Sequence, residues 1–369
     1  MRIATLTTWY ANNYGALLQT HALLHVLEQM GYEAETIAYL PDNSNNSWQV
    51  FFPMKSLRNA VRNVYMLSSP DIMRARRGRI QSNRRFISEQ IQKTPITYRG
   101  RELSDIPDSY DCIICGSDQI WNNTLFPSLD YFMDFTQGMD KVRRIAYAAS
   151  ICEPFDEKLA PGIARCLERF SAISIREEAD LPKVSALTDH SVSVMPDPVF
   201  VAEPEYWKQK AVAPKVTEPY ILCYYIGGER SSAPIVNTLA EKTGYQVINL
   251  ATGFKKYIKD AAYPAGVGPF EFIGYIQHAA LVLTNSFHCT AFSILFRKPF
   301  YISSVNEHRR GRLDQITSRF CCDSHVIDFA QAKAWSMECL SDAARVHGEA
   351  LESVRQQARE FLWQAIEGC

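Results

Sequence analysis

No apolar run in this 369-residue chain approaches the ~20 residues needed to cross a bilayer. The opening Met1-Arg2-Ile3-Ala4-Thr5-Leu6-Thr7 is too short in its apolar part for a secretory signal and reads as a first strand. An excess of either charge is missing too. Lys and Arg number 39 against 40 Asp and Glu, a formal net charge of −1, which disfavours a uniformly basic nucleic-acid binder. The ten cysteines are scattered and too sparse for a disulfide framework. They are expected as reduced thiols in a cytoplasmic chain. No internal repeat, low-complexity tract or G-x-G-x-x-G fingerprint is present. With 47% hydrophobic and 12% aromatic residues, the chain can build real cores, so wholesale disorder is excluded.

What is present is an alternation of short apolar runs and helical patterns. Ile3–Leu6 is a strand, Ala16–Met30 a helix stopped by Gly31, and Ala34–Tyr39 a strand, which makes a βαβ opening. From Pro41 to Gln92 no strand is evident, and the second part is helical with six arginines from Arg74 to Arg85. Strand-like runs return at Cys112–Cys115, Arg144–Tyr147, Ala172–Ile175 and Val192–Met195. A second series opens at Tyr220–Ile226 and continues through Gln246–Leu250, Leu281–Thr284 and Phe300–Ile302. Glu203–Glu218 reads as a helix plus interdomain linker. Apolar residues from Leu340 to Ala365 recur every three or four positions, as in one long C-terminal helix. The expected architecture is α/β: a Rossmann-like domain over 1–205, a second over 206–335, and the helix 336–369 packing across or back onto the first. Ligands of such sheets bind at the carboxyl ends of the strands.

The segment from Leu281 to Thr290 carries the densest chemistry. An apolar strand runs into Thr284-Asn285-Ser286-Phe287-His288-Cys289-Thr290 and then a helix. His288 is thereby placed near a helix N-terminus that favours an anion, with Ser286 and Thr290 adding hydroxyl donors. There it either exchanges a proton near neutral pH or simply caps the helix. Arg176 ends the run Ala172–Ile175, where it either grips a phosphate or carboxylate or pairs with Glu177 or Glu178. Asp197 stands stiffly between Pro196 and Pro198, as a site residue or a turn acid. Gly116 permits close backbone approach, and Ser117, Asp118 and Gln119 put three polar groups at the end of Cys112–Cys115. Asn13, Tyr14 and Gly15 open the first helix, with Gln19 one turn in, facing a ligand or solvent. The arginines from Arg74 to Arg85 face anionic lipid headgroups or a diphosphate-linked acceptor, or form a solvated helix face. Cys112 and Cys115 lie in one strand and point to opposite faces, so they do not share a metal.

In order along the chain, these segments resemble the polysaccharide pyruvyl transferase family. The matching pieces are Asn13–Gln19, Gly116–Trp121, Ile145–Ser150, Ile173–Glu177, Asp197-Pro198, Thr284–Ser293 and Arg312-Leu313. The resemblance implies a glycosyltransferase-B-like arrangement of the two Rossmann-like domains. It also implies transfer of a pyruvyl group from phosphoenolpyruvate to a sugar of a cell-surface polysaccharide or its lipid-linked precursor. His288 would be the general acid/base, Arg176 and Arg312 would contact the donor's phosphate or carboxylate, and Asp197 would support the site. No metal or other cofactor is implied, and the expected setting is cytoplasmic, including the inner face of the membrane. The sequence departs from the family pattern at two positions. Phe287 stands where a basic residue usually precedes the histidine, and Cys289 where the closest relatives carry glycine. A nucleotide-sugar glycosyltransferase of the same fold and a non-catalytic polysaccharide-assembly protein are the alternative readings.

Overall fold

The computed structural model describes residues 1–41, 48–107, 109–250, 253–303, 307–344 and 348–368. They divide into two compact units. The first comprises Met1–Asn45, Ile87–Ala202 and Leu351–Cys369, and the second Asn46–Phe86 and Glu203–Ala350.

In the first unit, seven parallel strands form one sheet in the order β3-β2-β1-β4-β5-β6-β7. They are β1 (Arg2–Leu6), β2 (Glu33–Leu40), β3 (Lys93–Arg99), β4 (Cys112–Cys115), β5 (Arg143–Ala149), β6 (Ala172–Ile175) and β7 (Val192–Val194). Strands such as Cys112-Ile113-Ile114-Cys115 are buried on both faces, which is why they read as unbroken apolar runs. The chain travels one way from β1 to β3 and the other way from β4 to β7. Neighbours β1 and β4 therefore bound a switch point, and their register sets Leu6 level with Cys115. Helix Tyr14–Gln29 starts there. The Asn13 carboxamide oxygen accepts from the Gly15 N–H at 2.9 Å, and Gly31 at φ +89° ends the turn that follows the helix.

The second unit has four parallel strands: β8 (Tyr220–Tyr224), β9 (Gln246–Asn249), β10 (Leu281–Thr284) and β11 (Phe300–Ile302). Their order, β11-β10-β8-β9, puts a second switch point between β8 and β10, with Tyr224 level with Thr284.

The sequence reading and the structure differ in four places. Strand β3 was not expected, because Pro95 interrupts its pattern. It is tolerated because β3 is an edge strand that pairs only with β2. The long helix begins at Gly348 rather than near Leu340, which lies in a separate turn, Cys339–Asp342. Glu203–Glu218 carries the expected helix, as Pro204–Lys210, but belongs to the second unit rather than linking the two. Trp207 is fully buried with its ring 5.1 Å from Phe292, and the Val212 N–H donates to Phe270 O at 3.1 Å.

Residues 46–86, expected in the first domain, group with the second unit. Phe86 packs edge-on to Phe270 at 5.0 Å, Ser82 Oγ donates to Gly266 O at 2.9 Å, and Lys256 pairs with Asp71 at 2.7 Å. The division thus falls within helix Pro70–Gln90. Several arginines of that helix meet partners in the same unit, while Arg74, Arg77, Arg84 and Arg85 remain exposed. Arg74 pairs with Asp71, Arg76 donates to Gln49 O, Arg85 lies 3.8 Å from Glu271, and Arg79 is buried.

Candidate active site

At the first switch point, β1 runs into Thr7 and Thr8, and β4 into Gly116, Ser117, Asp118 and Gln119. Gly116 has φ +129°, and a Cβ there would collide with the Tyr147 carbonyl, so only glycine lets the chain cross β5 so closely. Asp118 follows with φ +68°, a conformation that aspartate adopts more readily than most residues. Its carboxylate accepts from Thr8 Oγ1 at 2.9 Å. Gln19 is fully buried and ties the two strand ends together. Its Nε2 donates to Thr7 Oγ1 at 2.8 Å, and its Oε1 accepts from the Ser117 N–H at 3.2 Å.

Beside this loop lies a buried ion triad. Arg176 donates from Nε to Glu177 Oε1 at 2.8 Å and from Nη1 to Asp197 Oδ2 at 2.9 Å. Asp197 also accepts from the Val199 N–H at 3.1 Å and from Ser117 Oγ at 3.4 Å. Burial opposes charge on the guanidinium, but Glu177, Asp197 and Asp118 outweigh it and hold Arg176 firmly protonated.

The first-unit residues singled out from sequence therefore separate into two groups. Tyr14, Gly15, Gln19, Ser117, Arg176 and Asp197 are buried parts of the frame. Asn13, Asp118 and Gln119 are partly exposed at the strand ends. Arg176 meets two carboxylates of its own chain, which is the Arg–Glu pairing the sequence had left open, extended by Asp197. Asp197 caps the turn Pro198–Phe200 and neutralises Arg176.

At the second switch point, Asn285 bridges the two strand ends. Its Oδ1 accepts from the Ile226 N–H at 2.8 Å, and its Nδ2 donates to Gly227 O at 3.0 Å. Thr284 Oγ1 donates to Tyr224 O at 2.6 Å and accepts from the Ser286 N–H. Ser286 caps helix Phe287–Leu295, which puts His288 in that helix's first turn. Only 8% of His288 is exposed, and its ring meets Phe287 edge-on at 5.2 Å. Burial pushes the Cys289 thiol up to about 12, so it packs as an apolar side chain rather than serving as a nucleophile. The Thr290 hydroxyl is buried with no hydrogen-bond partner among the described residues. Arg312 lies on helix Glu307–Arg319, which packs against the helix of His288. Its Nε is buried and likewise has no partner among the described residues.

Glu229 was not singled out from the sequence. It opens helix Glu229–Thr243 directly after Gly227 and Gly228, which sit at φ +71° and +74°. Its carboxylate accepts from Asn249 Nδ2 at 2.9 Å at the end of β9, and burial raises its pKa to about 7. The available signal was a glycine pair between an apolar strand and a helix.

The order of these motifs along the chain is that of a known family. A sequence model of polysaccharide pyruvyl transferase matches residues 13–307. The chain belongs to that family. It is thus placed among transferases, and the match spans both switch points, from Asn13 to the helix of His288. Comparison with curated protein sequences finds no match.

Among solved structures, this pyruvyl transferase family member is similar to UDP-GlcNAc 2-epimerase from Neisseria meningitidis, with TM-score 0.54 and 9% identity over 99% of this chain and 100% of that one. The enzyme of the same name from Methanocaldococcus jannaschii gives TM-score 0.51 and 11% identity over 98% and 100%. An α-glucosyltransferase solved with UDP and a 13-mer DNA gives 0.52 and 9% over 99% and 95%. At such identities the likeness concerns fold, and the fold is glycosyltransferase-B-like.

Proposed function

We propose that the protein transfers the pyruvyl group of phosphoenolpyruvate to a sugar of a cell-surface polysaccharide or its lipid-linked precursor, closing a ketal across two hydroxyls. The observation that carries this reading is the family match together with His288 in the first turn of a helix that starts at a sheet switch point. A proton enters at the methylene carbon, making it a methyl group and leaving C2 electron-poor. One sugar hydroxyl adds to C2 and loses its proton. The second hydroxyl then displaces inorganic phosphate from C2, and its proton leaves with the phosphate. A single imidazole can take the hydroxyl proton and supply the methylene proton, so one histidine suffices as acid and base. The scheme calls for no metal ion.

The donor is a double anion. The positive end of helix Phe287–Leu295 and the Arg312 guanidinium of the packed helix suit it in the second unit. Arg176, already bonded to Glu177 and Asp197, is better read as a positioning residue that holds the strand ends of the first unit than as the donor's clamp. Asn13, Asp118 and Gln119 suit a sugar, with carboxamide and carboxylate groups for its hydroxyls.

The test is phosphate release from phosphoenolpyruvate in the presence of acceptor glycans, paired with thermal unfolding. Phosphoenolpyruvate is expected to raise the Tm, and His288→Ala to lower turnover by at least ~100-fold without unfolding the chain. Stabilisation by uridine or guanosine diphosphate and none by phosphoenolpyruvate would replace this reading with nucleotide-sugar transfer. If His288→Ala left the biological effect unchanged, a non-catalytic assembly role would stand instead.

A further inference from the structure

Helix Leu57–Leu67 is amphipathic the wrong way round for a globular surface. Its two asparagines turn inward: Asn59 Nδ2 donates to Pro53 O at 2.7 Å, and Asn63 exchanges two hydrogen bonds with the Phe52 backbone at 2.8 and 2.9 Å. Met66 is its one buried side chain. Leu57, Val61 and Val64, spaced i, i+4 and i+7, share the opposite face and are 82%, 47% and 66% exposed. Met54, whose sulfur accepts from Asn63 Nδ2, and Leu67 are exposed as well, at 74% and 61%. Scattered exposed apolar residues need no explanation, but a continuous stripe on one helix face does.

The surrounding charge says what fits. Residues 48–86 hold nine Lys and Arg and one acid, Asp71, in a chain whose total charge is −1. Lys55 and Arg58 are exposed at the start of the helix, beside the stripe. Arg62 belongs to the inward face, over the Phe52 and Phe254 rings at 5.2 and 5.3 Å, whereas Lys255 stands 5.0 Å from the exposed Tyr65 ring. An apolar stripe rimmed by cations is what an interfacial helix presents to an anionic leaflet. A second copy docking face to face would bring the same cations against one another, which disfavours self-association through this surface.

We infer that helix Leu57–Leu67, with Met54 before it, seats the protein on an anionic membrane surface. The apolar stripe enters the headgroup boundary, and Lys55 and Arg58 meet lipid phosphates. This puts a membrane contact on the helix that precedes the arginines of Pro70–Gln90. It does not depend on pyruvyl transfer.

The test is co-sedimentation of the full chain with vesicles of phosphatidylcholine alone or mixed with phosphatidylglycerol. Mixed vesicles are expected to bind at least ~10-fold more protein than neutral ones, less as salt rises. The triple variant Leu57→Gln/Val61→Gln/Val64→Gln is expected to lose ~10-fold of that binding with unchanged thermal unfolding, since all three positions are exposed. Lys55→Gln/Arg58→Gln is expected to remove the preference for the anionic lipid. Equal sedimentation of wild type and triple variant would overturn the inference. So would sedimentation velocity showing a wild-type dimer that the triple variant abolishes, because the stripe would then be covered by a second copy. Phosphate release from phosphoenolpyruvate, assayed without vesicles, is read separately, so either proposal can fail alone.

Discussion

Arg176 Nη1 donates to Asp197 Oδ2 at 2.9 Å, and neither side chain reaches solvent to any useful extent. Twenty-one residues apart, they meet because β6 and the turn after β7 end side by side. Removing one partner leaves a charge without its counterion. Arg176→Met is expected to cost about 3–5 kcal/mol, because two carboxylates lose their cation. Urea unfolding measures it. An unchanged midpoint would mean that Arg176 is not part of the frame and would return it to the list of donor contacts.

Gly116→Ala is expected to destabilise the first unit, since its φ of +129° suits glycine alone and the new methyl group meets the Tyr147 carbonyl. The expected loss is ~2 kcal/mol or more. Thermal unfolding checks it, and an unaltered Tm would show that the loop relaxes without strain.

Glu229 gives stability a pH dependence of definite sign. Burial lifts its pKa to about 7 in the folded protein, above the ordinary carboxylate value of about 4.5, so the folded state holds the proton more tightly. The stabilisation is complete below about pH 4.5 and is lost as pH rises through about 7. Glu229→Gln keeps the acceptor for Asn249 and is expected to flatten that slope, leaving the variant more stable than wild type at pH 8 by up to roughly 3 kcal/mol. Urea midpoints from pH 4 to 8 decide it, and parallel curves for the two proteins would refute the assignment.

Phe287 precedes His288 in the first turn of its helix and brings no charge to that helix N-terminus. Under the proposed function, Phe287→Arg is expected to tighten phosphoenolpyruvate binding by ~10-fold, since a guanidinium there meets the donor's anionic groups. A cation at a helix N-terminus costs some stability, about 0.3–1 kcal/mol. Calorimetric titration separates the two effects. Weaker binding in the variant would indicate that the donor carries less negative charge than phosphoenolpyruvate.

Much of the fold is legible because its signals are local. Cys112–Cys115, Ala172–Ile175, Leu281–Thr284 and Phe300–Ile302 are read from sequence with their observed ends, since buried parallel strands are short apolar runs bounded by turn residues. Strand β3 was missed because proline is scored against a strand unless its position at the sheet edge is known. The same holds for the site. Ser286 and His288 stand out at a strand end, whereas Glu229 becomes noticeable only once Asn249, from another strand, is beside it.

The sequence by itself determined the βα alternation, the two α/β series and the polar motifs that end their strands, because each depends on side-chain period and turn chemistry within about ten residues. It also carried the ordered motifs that place the chain in its family. Tertiary structure alone decided which strands are neighbours, and hence where the two switch points lie. It decided that residues 46–86 join the second unit, that Arg176 is neutralised by Asp197, and that Leu57–Leu67 turns its apolar face outward. Those outcomes rest on contacts between residues distant in the chain, and no local pattern encodes which distant partner will be met.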